Sequence, residues 1–290
     1  MKLLSKPARQ RLEAVAARVA LSLFRALPVD AASGLGGWLA RTIGPRLGVS
    51  GVARRNLGLA FPDKSAAEID AIVVQVWDNM GRVVGEIPHI ATLIAERVEV
   101  VGLDNVHRMR DDGQPGLFIG AHFGNWELAG ALAGREDLDL TVVYRAANNP
   151  LVEDIYRQCR ANAGSRQIRK GAEGAREILA VLRQGGHVGM LIDQKMNDGI
   201  AVPFFGRDAM TAPAAARFAL KFRCPVSMLK VERLGGARFR MTFLPPLELP
   251  DSGDTHADTL TLTTRMTAQL EDWVRANPGQ WLWLHKRWPE

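Results

Sequence analysis

The 290-residue chain is 47% hydrophobic and 23% charged, which excludes a disordered polypeptide and gives room for one large α/β domain with a small appendage, or two modest domains. Lys and Arg outnumber Asp and Glu by 37 to 31, a net charge of +6. This balance favours an anionic partner: phospholipid headgroups, a phosphorylated substrate, an acidic carrier protein or nucleic acid, with a merely basic surface as the alternative. Cys159 and Cys224 make neither a metal-ligand spacing nor a disulfide framework, so a reducing compartment is the simplest reading.

In chain order, residues 8–27 form an amphipathic helix. Arg11, Arg18 and Arg25 recur every seven residues on one stripe, while Leu12, Val15, Val19, Leu23 and Leu27 fall on another side. A basic stripe beside an apolar face suits a helix lying in the plane of an anionic membrane interface; packing on its own domain is the alternative. The arginines interrupt the apolar stretch, so neither a transmembrane span nor a secretory signal is expected. Pro28 closes this helix, 31–47 forms a second, and 51–60 a short third stopped by Phe61-Pro62-Asp63. Ser65-x-x-Glu68 is a capping box that opens a longer helix toward Glu86.

These segments define an N-terminal helical region over 1–95, without strand signals, and an α/β domain over 96–290. In the second, strands are predicted at 98–101, 117–121, 140–144, 187–192, 226–231 and 239–244. Helices are predicted at 125–134, 150–162, 171–183, 211–222 and 255–276. The alternation implies a mixed, partly parallel sheet flanked by helices.

The segment Gly116-Leu-Phe-Ile-Gly-Ala-His122-Phe-Gly124-Asn125-Trp126-Glu127 is the most informative and holds the catalytic candidate. An apolar strand runs into a Gly-containing turn and then a helix, placing His122 at a strand's C-terminal end, where α/β sheets expose ligand crevices. A turn at Phe123-Gly124 would swing Glu127 back to accept the Nδ1 proton, leaving Nε2 as a general base for an alcohol. Unpaired N–H groups at the helix start would suit a developing oxyanion. A histidine and a glutamate five apart are a weak signal by themselves, and a structural histidine is the alternative. No G-x-S-x-G elbow, H-E-x-x-H pair or P-loop competes.

Several blocks in order resemble the lipid A biosynthesis acyltransferases, within the wider glycerolipid acyltransferase superfamily marked by H-x4-D/E. They are Arg55-Asn56-Leu57 with Phe61-Pro62, Ala121 through Glu127, Tyr144-Arg145 with Asn149-Pro150, and Asp193-Gln194. Pro203-Phe204-Phe205-Gly206, Thr211-Ala212-Pro213 and Trp281-Leu-Trp283-Leu-His285-Lys286-Arg287-Trp288 complete the series. The resemblance spans most of the chain. It implies transfer of a fatty acyl chain from an acyl-carrier-protein thioester to a hydroxyl of a phosphorylated lipid A precursor, with no metal or organic cofactor. His122 would be the base and Glu127 its orienting partner. The expected location is the cytoplasmic face of a bacterial inner membrane, peripheral or shallowly anchored, because the N-terminal segment is less continuously apolar than the family's anchor.

Beside this resemblance, Arg145 is expected to hold a phosphate or the thioester oxyanion, with a surface arginine as the alternative. Asp193 and Gln194 are expected to face the same crevice, Asn125 at the helix entry to contact substrate, and Phe204, Phe205 and Arg207 to wall an acyl channel. Thr211 is expected to cap a helix facing phosphate. Arg166, Arg169 and Lys170 form a basic cluster, read either as a solvated loop or as a docking point for lipid phosphate or carrier. Trp281, Trp283 and Trp288 beside Lys286 and Arg287 suit either headgroup anchoring or packing. Two rivals stand: O-acyl transfer to another lipid, such as a lysophospholipid, glycolipid or lipoamino acid, and a non-catalytic membrane lipid-binding protein. Only two tyrosines and no recognition motif argue against nucleic acid.

Overall fold

A computed structural model describes residues 5–162 and 166–288. Five helices come first: α1 (Lys6–Ala26), α2 (Val29–Ile43), α3 (Ser50–Ala60), α4 (Ala66–Glu86) and α5 (Ile90–Glu96). The extended backbone of Leu27 followed by Pro28 stops α1. The capping box opens α4 as predicted: the Ser65 N–H donates to Glu68 Oε2 at 2.8 Å, and the Glu68 N–H to Ser65 Oγ at 3.3 Å. Helices α2 and α4 cross backbone to backbone. A Cβ on Gly81 would lie 2.1 Å from Gly36 O, and one on Gly85 2.4 Å from Ala32 O, so any side chain there would separate the pair.

The remainder alternates: β1 (Val98–Val101), α6 (Leu103–Asp111), β2 (Gly116–Gly120), α7 (Leu128–Arg135), β3 (Leu140–Tyr144), α8 (Pro150–Asn162), β4 (Arg166–Arg169) and α9 (Ala172–Arg183). Then follow β5 (His187–Leu191), β6 (Lys195–Phe204), β7 (Arg207–Thr211), α10 (Ala214–Phe222), β8 (Val226–Gly235), β9 (Arg238–Phe243) and α11 (Thr255–Ala276). Seven strands form one sheet in the order β1-β9-β8-β2-β5-β3-β4. Strands β8, β2, β5, β3 and β4 are mutually parallel, while β9 turns back antiparallel to β8 and carries β1 beside it. The mixed, mostly parallel sheet is the one the alternation implied.

Helices cover both faces. Leu117, Ile119, Val188 and Val226 pack with α3, α4, α9, α10 and α11, and Phe118, Leu140, Leu229 and Val231 with α5, α6 and α7. Leu57 of α3 and Val73 and Val76 of α4 thus share a core with the sheet. Helix α1 is different: Leu12, Val15, Val19 and Leu23 are 53 to 62% exposed, so among the described residues nothing covers its apolar face. Its opposite side rests on α8, where Asn149 Nδ2 donates to Gln10 O at 2.9 Å. No helix of the described residues is long and apolar enough to cross a membrane.

Three features go beyond the sequence reading. Helix α6 and edge strand β4 escape it because each is short and mostly polar. The hairpin of β6 and β7 escapes it because Gly199, Asp198 and Pro203 break any apolar alternation; its turn is made by Phe205 and Gly206, both with positive φ. Two helix starts shift. The helix predicted from 125 begins at Leu128, and the one predicted from 211 begins at Ala214, with Thr211 ending β7 instead.

Candidate active site

Parallel strands β2, β5 and β3 end on one edge of the sheet, with Gly120 in register with Leu191. His122, Asp193 and Arg145 follow these ends, so the chain direction alone gathers them. The loop after β2 depends on Gly124, whose φ is +57° and whose hypothetical Cβ would sit 2.0 Å from Val231 O. It is tied to the C-terminal segment by the Leu282 N–H to His122 O at 3.1 Å and the Gly124 N–H to Gln280 O at 3.0 Å.

Asp193, not Glu127, orients the imidazole. His122 Nδ1 lies 2.8 Å from Asp193 Oδ1, while the backbone N–H of His122 and Nε1–H of Trp281 donate to Asp193 Oδ2 at 2.9 and 2.8 Å. The Asp193 side chain is wholly buried, and Trp126 sits against the His122 ring, edge to face, at 5.2 Å. Nε2 is therefore the ring nitrogen not engaged by Asp193. Burial disfavours a charged imidazole, but the Asp193 carboxylate outweighs it with help from Glu127, and the His122 pKa is raised above its ordinary value. Burial likewise opposes charge on Asp193, yet the neighbouring imidazole and its hydrogen bonds hold that carboxyl far below the usual range.

Glu127 is engaged elsewhere. It accepts from Arg160 of α8 at both oxygens, 2.7 Å from Nε and 2.8 Å from the terminal nitrogen, and from Trp126 Nε1 at 3.1 Å. Because α7 starts one residue after Glu127, the side chain leaves the turn toward α8 rather than folding back on Nδ1. Arg160 also stacks over Tyr144 at 5.4 Å.

His122, Trp126, Glu127, Arg145, Arg160 and Gln194 border a cleft of about 680 Å³. Its apolar depth straddles the sheet edge: Phe118, Leu140, Val142, Gly189 and Leu229 with Gly130 of α7 on one face, and Met190, Ala175, Ile178, Ala215 and Phe218 on the other. Arg145 is exposed at the rim, and Lys170 joins it.

Six predicted contacts lie outside this cleft, the first being Asp193, whose wholly buried carboxylate is turned onto His122 and Trp281 instead of facing the crevice. Asn125 is wholly buried and donates Nδ2 to Glu86 Oε2 at 2.8 Å. Phe204 and Phe205 pack edge to face at 4.9 Å and belong to an aromatic core with Trp281, Trp283 and Trp288, which settles those tryptophans as packing. Arg207 is exposed, reaching Leu59 O at 3.4 Å. Thr211 Oγ1 donates to Ala209 O and accepts from buried Arg287 at 2.7 Å, so it caps no helix. Of the basic cluster, Arg166 pairs with exposed Asp139, and Lys170 alone lines the cleft. Arg160 and Trp126 border the cleft without having been singled out from the sequence. Arg160 lies within a charged helix where nothing in the sequence marks it, whereas Trp126 stood inside the motif.

Residues 8–290 match the family described as bacterial lipid A biosynthesis acyltransferase. The chain belongs to that family. Among its relatives are the lipid A biosynthesis palmitoleoyltransferase of Escherichia coli (strain K12), 26% identical, with 81% of this chain and 77% of the relative covered. The myristoyltransferase of the same organism is 26% identical, over 83% of this chain and 76% of the relative. Its lauroyltransferase is 25% identical, over 81% and 78%. The chain is accordingly an acyltransferase of lipid A biosynthesis.

Proposed function

We propose that this acyltransferase moves a fatty acyl group from an acyl-carrier-protein thioester to a hydroxyl of a phosphorylated lipid A precursor, with His122 as general base. The observation carrying this reading is the imidazole fixed through Nδ1 by Asp193, with its other nitrogen at the polar end of an apolar cleft. Nε2 takes the acceptor hydroxyl's proton as that oxygen attacks the thioester carbonyl. The tetrahedral intermediate collapses, breaking the C–S bond, and the imidazolium returns the proton to the leaving thiolate. Asp193 stabilises the imidazolium, and Glu127 adds a second negative charge from its pair with Arg160. Arg145 and Lys170 at the rim suit the acceptor's phosphate or the carrier's phosphorylated arm.

The exposed apolar face of α1, with its arginine stripe, supports peripheral attachment to an anionic surface, here the cytoplasmic face of the inner membrane. The test is an assay of purified protein with carrier thioesters of several chain lengths and a panel of lipid acceptors, read by product mass. Folded His122→Ala should lose turnover. Full activity in that variant would remove the base mechanism, and product only on lysophospholipid or glycolipid would reassign the acceptor.

A further inference from the structure

Glu86 closes α4 and is wholly buried, far in sequence from every residue of the cleft. Arg233 of β8 meets it with both terminal nitrogens. Ser33 Oγ donates to the same carboxylate at 2.7 Å, and Asn125 Nδ2 donates to Oε2 at 2.8 Å. Arg233 Nε donates to Asn79 Oδ1 at 3.0 Å, and Asn79 Nδ2 donates onward to Gly124 O at 2.9 Å. Gln280, which accepts the Gly124 N–H, also exchanges hydrogen bonds with the Arg233 backbone at 2.8 and 2.9 Å.

A buried ion pair is a poor source of stability, because desolvation offsets much of its attraction and an apolar substitute is often as stable. What this pair supplies is direction. Besides Ser33 and Gly236 O, it reaches Asn125 directly and Gly124 through Asn79, the two residues between the His122 loop and the turn carrying Trp126 and Glu127. Asn125 Oδ1 in turn accepts the Glu127 N–H at 3.2 Å. We propose that Glu86 and Arg233 are positioning residues, fixing this loop so that His122 stays against Asp193 and Nε2 stays on the cleft. The inference rests on the base role of His122 proposed above. It gives α4, an N-terminal helix, a part in the site that lies 36 residues downstream of it.

The test compares full-length wild type with Glu86→Gln and with the double variant Asn79→Ala/Asn125→Ala, which cuts both links to the loop while leaving the ion pair intact. Folding is checked by circular dichroism and thermal melting. The His122 ring is titrated by NMR, and kcat and KM are measured separately. Expected is a His122 pKa falling toward about 6.5 as the Asp193 contact loosens. With it, kcat should fall tenfold or more, the scale of sub-ångström misplacement, while KM changes by less than about twofold. Wild-type titration and kcat in folded Asn79→Ala/Asn125→Ala would overturn the inference, whether or not Glu86→Gln folds. A wild-type protein whose His122→Ala variant keeps full turnover would sink the base role instead, and the ring titration would still read the loop.

Discussion

Replacing Asp193 with Asn tests the orienting partner directly. The carboxylate accepts three hydrogen bonds, from His122 N–H, His122 Nδ1–H and Trp281 Nε1–H. Asparagine has one acceptor oxygen. If that oxygen faces the two fixed donors, its NH₂ faces Nδ1, the ring must carry its proton on Nε2, and no base remains. The charge is lost as well. With charge centres on the order of 4 Å apart and an effective dielectric near 20, the Asp193–imidazolium attraction is about 4 kcal/mol. At about 1.4 kcal/mol per decade, turnover should fall roughly 10³-fold. Glu127→Gln, which leaves the Nδ1 contact intact, should cost much less and lower the His122 pKa only modestly. Initial rates under saturating thioester, with melting curves for each variant, decide it. A Glu127→Gln loss larger than that of Asp193→Asn would return the orienting role to Glu127.

The raised His122 pKa sets the pH profile: a base must be neutral, so kcat/KM should climb with pH through a value above about 6.5 and then level off. Asp193, held far below the usual range, should contribute stability above about pH 3.9 that is lost only as pH falls below it, seen as a drop in melting temperature that Asp193→Asn lacks. Changing Leu12, Val15, Val19 and Leu23 together to Ser should weaken binding to anionic liposomes at least tenfold without altering the melting temperature, since these side chains touch water in the fold. Unchanged binding would move the membrane contact elsewhere. Gly189→Val should shift the preferred donor toward shorter chains, because even its Cβ would come 3.1 Å from Val142 Cγ1 inside the cleft. An unaltered chain-length profile would place the acyl chain on the other face of the sheet.

Strong local periodicity made much of the fold legible. The capping box of α4, the apolar runs of β2, β5 and β8, and the strand-to-turn placement of His122 all follow from short stretches whose meaning is local. The amphipathic α1 was legible too, since seven-residue recurrence fixes which face carries arginine. The ordered motif blocks likewise point to the family.

Partner choice across the chain was another matter. His122 takes Asp193, 71 residues away, because β2 and β5 are adjacent parallel strands ending on one edge; spacing along the chain favoured Glu127. That glutamate went to Arg160 because a one-turn delay in the start of α7 aimed it at α8, a shift no propensity encodes. Phe204, Phe205 and the terminal tryptophans read alike as channel wall, membrane anchor or core, and only the hairpin folding onto α11 and the C-terminal segment made them core. The residue types for the chemistry were written in the sequence; which carboxylate faces which nitrogen was decided by strand order, a property of the whole sheet.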